Sequence, residues 1–351
     1  MVRTLPLSLS AEPTSSAWGG PRSRWASSSV VAHNQTLTLL SASLGVPRPT
    51  GRSVSSRLCL EETERFLSAS ALKSLPNVSA ARVAQLWVYP VKSMRGERLS
   101  TALVRAEGLE GDRRLMVASA GGQLLTQREA PLLATLSARS EAGGIVVISA
   151  PTKAETLTLR LQRQGELREA SLWNQKVKLV DLGEQAAQWV TRALGGAGSL
   201  LPLFGLPSHR ILHAPRPTGR PGGLADLAPI HLVCEASLAD LNVRRAAARL
   251  PPVPMDRFRP NIVVAGCAPY EEDSWTHISI GGASFVKMSR CPRCTVPDVD
   301  QVSGKVDAAD RGPMRSLRGY RAFAGEGVVF GIYLTPTRLG SVSEGDRVRL
   351  A

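Results

Sequence analysis

A chain of 351 residues exceeds the usual single-domain size, and with 43% hydrophobic and 21% charged residues it has ample material for packed cores. It contains no run of about 18 apolar residues, which argues against a membrane-spanning helix. The net charge of +14 is compatible with nucleic acid, an anionic membrane or anionic ligands, but the arginines are scattered, aromatics are only 5%, and no nucleic-acid motif appears, so a generally basic surface is the favoured reading and a nucleic-acid binder is not expected.

Residues 1–60 are rich in Ser, Arg and Pro, and Glu12 is the only acidic residue before Ser56. Such a stretch buries too little apolar surface to offset its ordering entropy, and its composition is that of an organellar transit peptide. It does not separate mitochondrion from chloroplast. Residues 61–81 follow as a linker. There Leu60, Phe66, Leu67, Leu72 and Leu75 recur in a short helical pattern before Pro76.

Strand signals begin at Val83 with VAQLWVY and continue through LMVAS, GGIVVISAP, ETLTLRLQ and KVKLVDLG, separated by Gly-containing turns. A short helix is predicted over 130–136, and a second over 184–194, where Ala186, Val190, Ala193 and Leu194 share a face before Gly195 and Gly196. The first folded unit, 82–202, is therefore read as mixed β/α, with a Gly/Pro/Leu connector near its end. The second, 203–351, contains IHLVCEA, an Ala-rich helix over 237–250, and many short strands such as FRPNIVV, HISIGG, ASFVKMSRC and GVVFGIYLTP. This pattern predicts an α+β protein whose second domain is a closed β-barrel with few helices.

Five cysteines, an odd number without framework spacing, indicate free thiols in a reducing compartment. Cys291 and Cys294 stand three apart, flanked by Arg290 and Arg293, and a neighbouring cation favours the thiolate, a soft metal ligand. A zinc site needs a second ligand pair. Cys59, Cys234 and Cys267 are isolated, and no two histidines have ligand spacing. A thiol ligand to a metal that brings its own remaining ligands fits better.

Other polar side chains recur at strand ends. Lys92 and Ser93 follow the first strand, Asp112 and Arg113 open a later one, and Arg259 and Asn261 precede IVVAG. Each has an ordinary structural reading: a solvated lysine, a surface ion pair, a side chain satisfying backbone groups, and for Cys294 a small buried apolar residue. As a set with a reactive thiol, they suit a ligand carrying both phosphate and metal.

The stretches LWVYPVKSMRG, GLEGDRRLMV, TQREAPLLATLS, EQAAQWV, CEASLADLN, FRPNIVV, YEEDSW, CPRCTVPDVDQVSG and VFGIYL, in that order from about Arg82 to Ala351, resemble the MOSC-domain proteins of the mitochondrial amidoxime-reducing component group. That resemblance implies a MOSC N-terminal β-barrel domain followed by a MOSC domain. It also implies a molybdenum cofactor, a pyranopterin dithiolene with a terminal phosphate. Cys294 matches the metal-ligating cysteine and Arg293 the residue before it. Lys92, Ser93 and Arg113 match cofactor contacts from the first domain, and Arg259, Asn261 and Tyr333 those from the second.

The implied activity is reduction of N-hydroxylated compounds (amidoximes, hydroxylamines, N-hydroxylated bases), with electrons from NADH through a flavin reductase and a b-type haem cytochrome. The chain has no Gly-rich dinucleotide fingerprint, so it depends on such partners. MOSC domains also end the molybdenum-cofactor sulfurases, so a cofactor-binding or sulfur-carrying protein is the alternative; the sulfurases' large pyridoxal-phosphate domain has no room here. Three features depart from the family. Pro292 stands where Ser is frequent, Val299-Asp300-Gln301 replaces Val-Asp-Pro, and the membrane-anchoring N-terminus gives way to the Ser/Arg-rich leader.

Overall fold

The described residues fold into a large mixed sheet to which their first strand, Arg82–Val88, and their last, Val348–Leu350, both contribute. The computed structural model describes residues 81–151, 155–161, 165–173, 175–196, 199–206, 210–211 and 221–350; the expected leader and linker helix lie outside them. The labelled strands of the main sheet are β1 (Arg82–Val88), β2 (Glu97–Leu99), β3 (Ile230–Cys234), β4 (Ile262–Ala265), β5 (His277–Ile280), β6 (Ala283–Pro292), β7 (Gly327–Arg338) and β8 (Val348–Leu350). They run in the order β2-β1-β4-β3-β7-β6-β5-β8, with Ala322–Phe323 paired to β7 off this path. Only β3 and β4 are parallel, and their continuous apolar runs, IHLVC and IVVA, suit strands covered on both faces.

The expected closed barrel is corrected to an open path whose two ends meet without a full ladder. Val83 N–H donates to Asp346 O at 2.9 Å, Gly345 N–H to Val83 O at 2.8 Å, and Val348 N–H to Ala81 O at 2.8 Å. One bridge joins Arg82 to Arg347. The physical reason lies in β1. Its first residues meet 345–348, but Leu86, Trp87 and Val88 pair with β2 instead, so no continuous edge is left for β8.

Residues 115–205 build smaller antiparallel sheets beside it. One orders Leu115–Val117, Leu203–Gly205, Gln175–Asp181 and Leu167–Leu172; another joins Ser137–Glu141, Ile145–Ser149 and Leu157–Arg160. Helix α1 (Glu184–Ala193) seals their core with the predicted Ala186 and Val190 and also with Trp189, while the predicted Ala193 and Leu194 pack against it partly buried. The predicted helix over 130–136 is a 3-10 turn, Pro131–Thr135. Helix α2 (Glu235–Ala247) starts where β3 ends, and α3 (Pro313–Arg318) packs near it. The fully buried Arg245 of α2 donates to Pro251 O, Arg311 O and Ser316 Oγ, which satisfies its guanidinium without a carboxylate. Among the described residues no helix is long and apolar enough to cross a membrane.

Candidate functional site

The eight residues singled out from the sequence (Lys92, Ser93, Arg113, Arg259, Asn261, Arg293, Cys294 and Tyr333) all line one cavity of about 600 Å³. The backbone there is unusual. Six described non-glycine residues adopt positive φ, and four of them line this cavity: Ser93 at 70°, Arg113 at 47°, Trp173 at 56° and Arg259 at 54°. Side chains other than glycine pay for that conformation, and such residues gather where a site dictates direction.

The lining carries five cations (Lys92, Arg113, Arg128, Arg259, Arg293) against one carboxylate, Asp226. Lys92 is 6% exposed, which removes its reading as a solvated surface lysine; its Nζ donates to Leu224 O at 2.9 Å and pairs with Asp226 at 2.5 Å. The Arg113 and Arg259 guanidiniums lie 4.5 and 4.3 Å from the centroid of the buried Tyr89 ring. Tyr89 is fixed by its O–H to Pro260 O at 3.0 Å and by its N–H to Asp112 Oδ1 at 2.8 Å. The ring's negative face lets two like charges share a small space. Arg113 does pair with Asp112, but in the interior, where Asp112 is 5% exposed. Burial above all, with the charges of Arg113 and Arg293, lowers the Arg259 pKa to about 10. The excess of cations over carboxylates in the lining suits an anion.

The two cysteines of CPRC occupy different surroundings. Cys291 is buried, and its Sγ accepts from Arg293 Nη1 at 3.0 Å. Arg293 Nη2 donates to Phe258 O at 2.9 Å, and Arg293 N–H is tied to Val328 O at 2.7 Å. Its Nε is buried with no partner among the described atoms. Cys294 is exposed on the cavity wall, so its reading as a buried apolar residue fails. Just past the end of β6, it offers a thiol with no structural task.

Asn261 is 1% exposed and is held by its neighbours: Nδ2 donates to Trp87 O at 3.1 Å, and Oδ1 accepts from His231 N–H and Arg113 Nη1, each at 3.2 Å. It ties β1, β3 and Arg113 together, so its backbone-satisfying reading stands within the site. Tyr333 sits on β7, edge-on to His231 with ring centroids 5.8 Å apart, and burial raises its hydroxyl pKa well above the usual value.

His231 is a cavity residue that sequence reasoning missed, because it lies inside the apolar run IHLVC. Burial, then the charge of Arg293, lowers its pKa to about 3, so the ring is neutral at pH 7 and Nε2–H donates to Phe330 O at 3.0 Å. As pH falls from 6.5 toward 3, the unfolded chain takes up a proton that the folded ring refuses. Stability is therefore expected to drop by up to about 1.4 kcal/mol per pH unit in that window. His231→Gln should flatten this slope, read from urea unfolding at neutral and mildly acidic pH.

Asp226, Trp173 and Arg128 were missed as well. Trp173 Nε1 donates to Asp226 Oδ1 at 2.7 Å, and Arg128 lies 4.5 Å from the indole centroid. The positive φ of Trp173, next to a strand end, leaves no trace in residue type.

The MOSC N-terminal beta barrel domain model matches residues 80–197 and the MOSC domain model residues 220–349. The mitochondrial amidoxime reducing component 2 of Bos taurus is 30% identical over 282 residues, covering 76% of this chain and 82% of that protein. The mitochondrial amidoxime-reducing component 1 of Homo sapiens is 31% identical over 284 residues with the same coverage. The molybdenum cofactor sulfurase of Oryza sativa is 28% identical over 305 residues, covering 82% of this chain but 36% of that protein.

Proposed function

This chain belongs to the MOSC-domain family that contains the mitochondrial amidoxime-reducing components, and from that premise we propose that it is a molybdenum-cofactor-dependent reductase of N-hydroxylated compounds such as amidoximes, hydroxylamines and N-hydroxylated bases. The observation that carries the reading is an exposed thiol, Cys294, on the wall of a cavity lined by five cations and one carboxylate. That donor set fits a ligand that pairs a soft metal with a phosphate, and the unpartnered Nε of Arg293 adds a donor at the cysteine.

In this proposal Cys294 supplies the thiolate ligand, and Arg293 steadies the turn that presents it. Arg113 and Arg259, held against Tyr89, with Lys92, Ser93, Asn261 and Tyr333, hold the phosphate and pterin. When bound, the cofactor supplies two-electron oxygen-atom-transfer chemistry. Converting an amidoxime to amidine and water consumes two electrons and two protons. The neutral His231 contributes no proton at pH 7.

The electrons come from NADH through a flavin reductase and a b-type haem cytochrome. Residues 82–202 form the MOSC N-terminal domain and 203–351 the MOSC domain. The address is an organelle, mitochondrion or chloroplast, and the mitochondrial relatives support an organellar location.

The test is metal and pterin analysis of the purified protein, followed by benzamidoxime reduction with the cytochrome and its reductase supplied. Bound molybdenum and turnover are expected. The net charge of +14 should draw an acidic cytochrome, so the second-order rate should fall several-fold between about 50 and 500 mM salt while a chemical reductant shows no such loss. Similarity to the rice sulfurase across 82% of the chain favours a second reading, a cofactor or sulfur carrier without reductase activity. Bound molybdenum without turnover would select it.

A further inference from the structure

Away from the cavity, at the far ends of β3 and β4, lies a second sulfur site. Cys234 is the last residue of β3, fully buried, and pairs in parallel register with Val264 of β4. Past Val264 the chain turns at Gly266, whose φ of 79° is open to glycine and strained for other residues. The turn folds Cys267 back so that its Sγ sits 3.7 Å from Val264 O, the carbonyl of the residue in register with Cys234. Both side chains belong to one apolar cluster, Cys234 within it and Cys267 packed against it. The buried Glu272 carboxyl group accepts from Cys234 N–H at 3.3 Å and from Ser237 Oγ at 2.8 Å.

We propose that Cys234 and Cys267 are a redox-active thiol pair that closes to a disulfide when the protein meets hydrogen peroxide. Their exposures divide the work. Cys267 is half-buried and reachable from solvent, whereas Cys234 is sealed. The Cys267 thiolate attacks one peroxide oxygen; the O–O bond breaks, a sulfenic acid forms, and hydroxide leaves to become water. The Cys234 sulfur then attacks the sulfenic sulfur, the S–S bond forms, and a second water leaves with the Cys234 proton. Two thiols lose two electrons and two protons, and one peroxide becomes two waters. Burial keeps Cys234 a thiol at rest, which protects it from direct oxidation and reserves it as the resolving partner. The new bond staples β3 to the segment after β4 and closes the loop over 235–266, which contains α2.

The experiment oxidises the full-length protein with hydrogen peroxide without denaturant, alkylates free thiols, and maps the unreduced digest by mass spectrometry. A peptide linking Cys234 to Cys267, lighter by two hydrogens and lost on reduction, is expected. The thermal midpoint should rise by roughly 5 °C. Cys267→Ser and Cys234→Ala should each abolish both signals, and two variants guard against one failing to fold. Recovery of both cysteines alkylated, or of Cys267 over-oxidised or carrying a single adduct beside a free Cys234, would overturn the proposal. None of these readouts depends on molybdenum or on turnover, so the pair and the proposed activity stand or fall separately.

Discussion

Cys294→Ser is expected to lower both molybdenum content and amidoxime turnover by roughly a hundredfold or more, the largest effect of any single change in the chain. Serine keeps the size and exposure of the side chain but replaces a soft sulfur with a hard, protonated oxygen. The exposed position of Cys294 makes a folding defect an unattractive explanation. Cys291→Ser separates the two thiols of CPRC. Its sulfur accepts from Arg293 Nη1 in the interior, so the change should weaken the turn and cofactor retention several-fold without removing the ligand. Metal analysis and turnover, measured side by side with circular dichroism, distinguish these outcomes. A molybdenum-loaded Cys294→Ser protein with full activity would sink the assignment.

Gly331→Ala is expected to destabilise the fold by about 2–5 kcal/mol, from the left-handed backbone and overpacking together. Gly331 lies on β7 with φ 75°, and an added Cβ would stand 2.5 Å from Leu232 O, 2.6 Å from His231 Nε2 and 2.6 Å from Val233 Cγ2. Leu232 O is backbone, and the buried side chains of His231, tied to Phe330 O, and Val233 have little room to yield. The close approach of β7 to β3 at this glycine is also what lets His231 reach Phe330 O. Denaturant unfolding should show a lowered midpoint with an unchanged slope, and cofactor retention should fall with it. A variant as stable as the parent would show that β7 shifts freely, contrary to the packed interior seen here.

The residues that proved easy to read are those whose chemistry does not depend on context. Lys92, Arg113, Arg259 and Cys294 drew notice by residue type and by sitting next to strand ends, and they line one cavity. The glycine-punctuated strands and the apolar face of α1 were legible because periodicity and turn chemistry are local. His231 was hidden by its apolar neighbours, since only burial and the charges of Arg293 and Arg113 make it a neutral donor. Asp226 and Trp173 were hidden because they come together with Lys92 from separate segments. The closed barrel failed for a similar reason. Each strand was visible, but the division of the β1 edge between β2 and the 345–348 segment is decided by pairing across the whole chain.

That division of β1 has a kinetic meaning. Arg82 Nη1 donates to Gly345 O, a partner 263 positions away, and the start of β1 is bonded to the segment that leads into β8. Closure between such distant points is slow, because chain entropy is lost before the contact returns anything. During synthesis the start of β1 waits for residues 345–348 to leave the ribosome before its edge is covered. A nascent chain stalled short of residue 345 therefore presents an open strand edge, the form most prone to pair with a neighbour and the natural client of a chaperone.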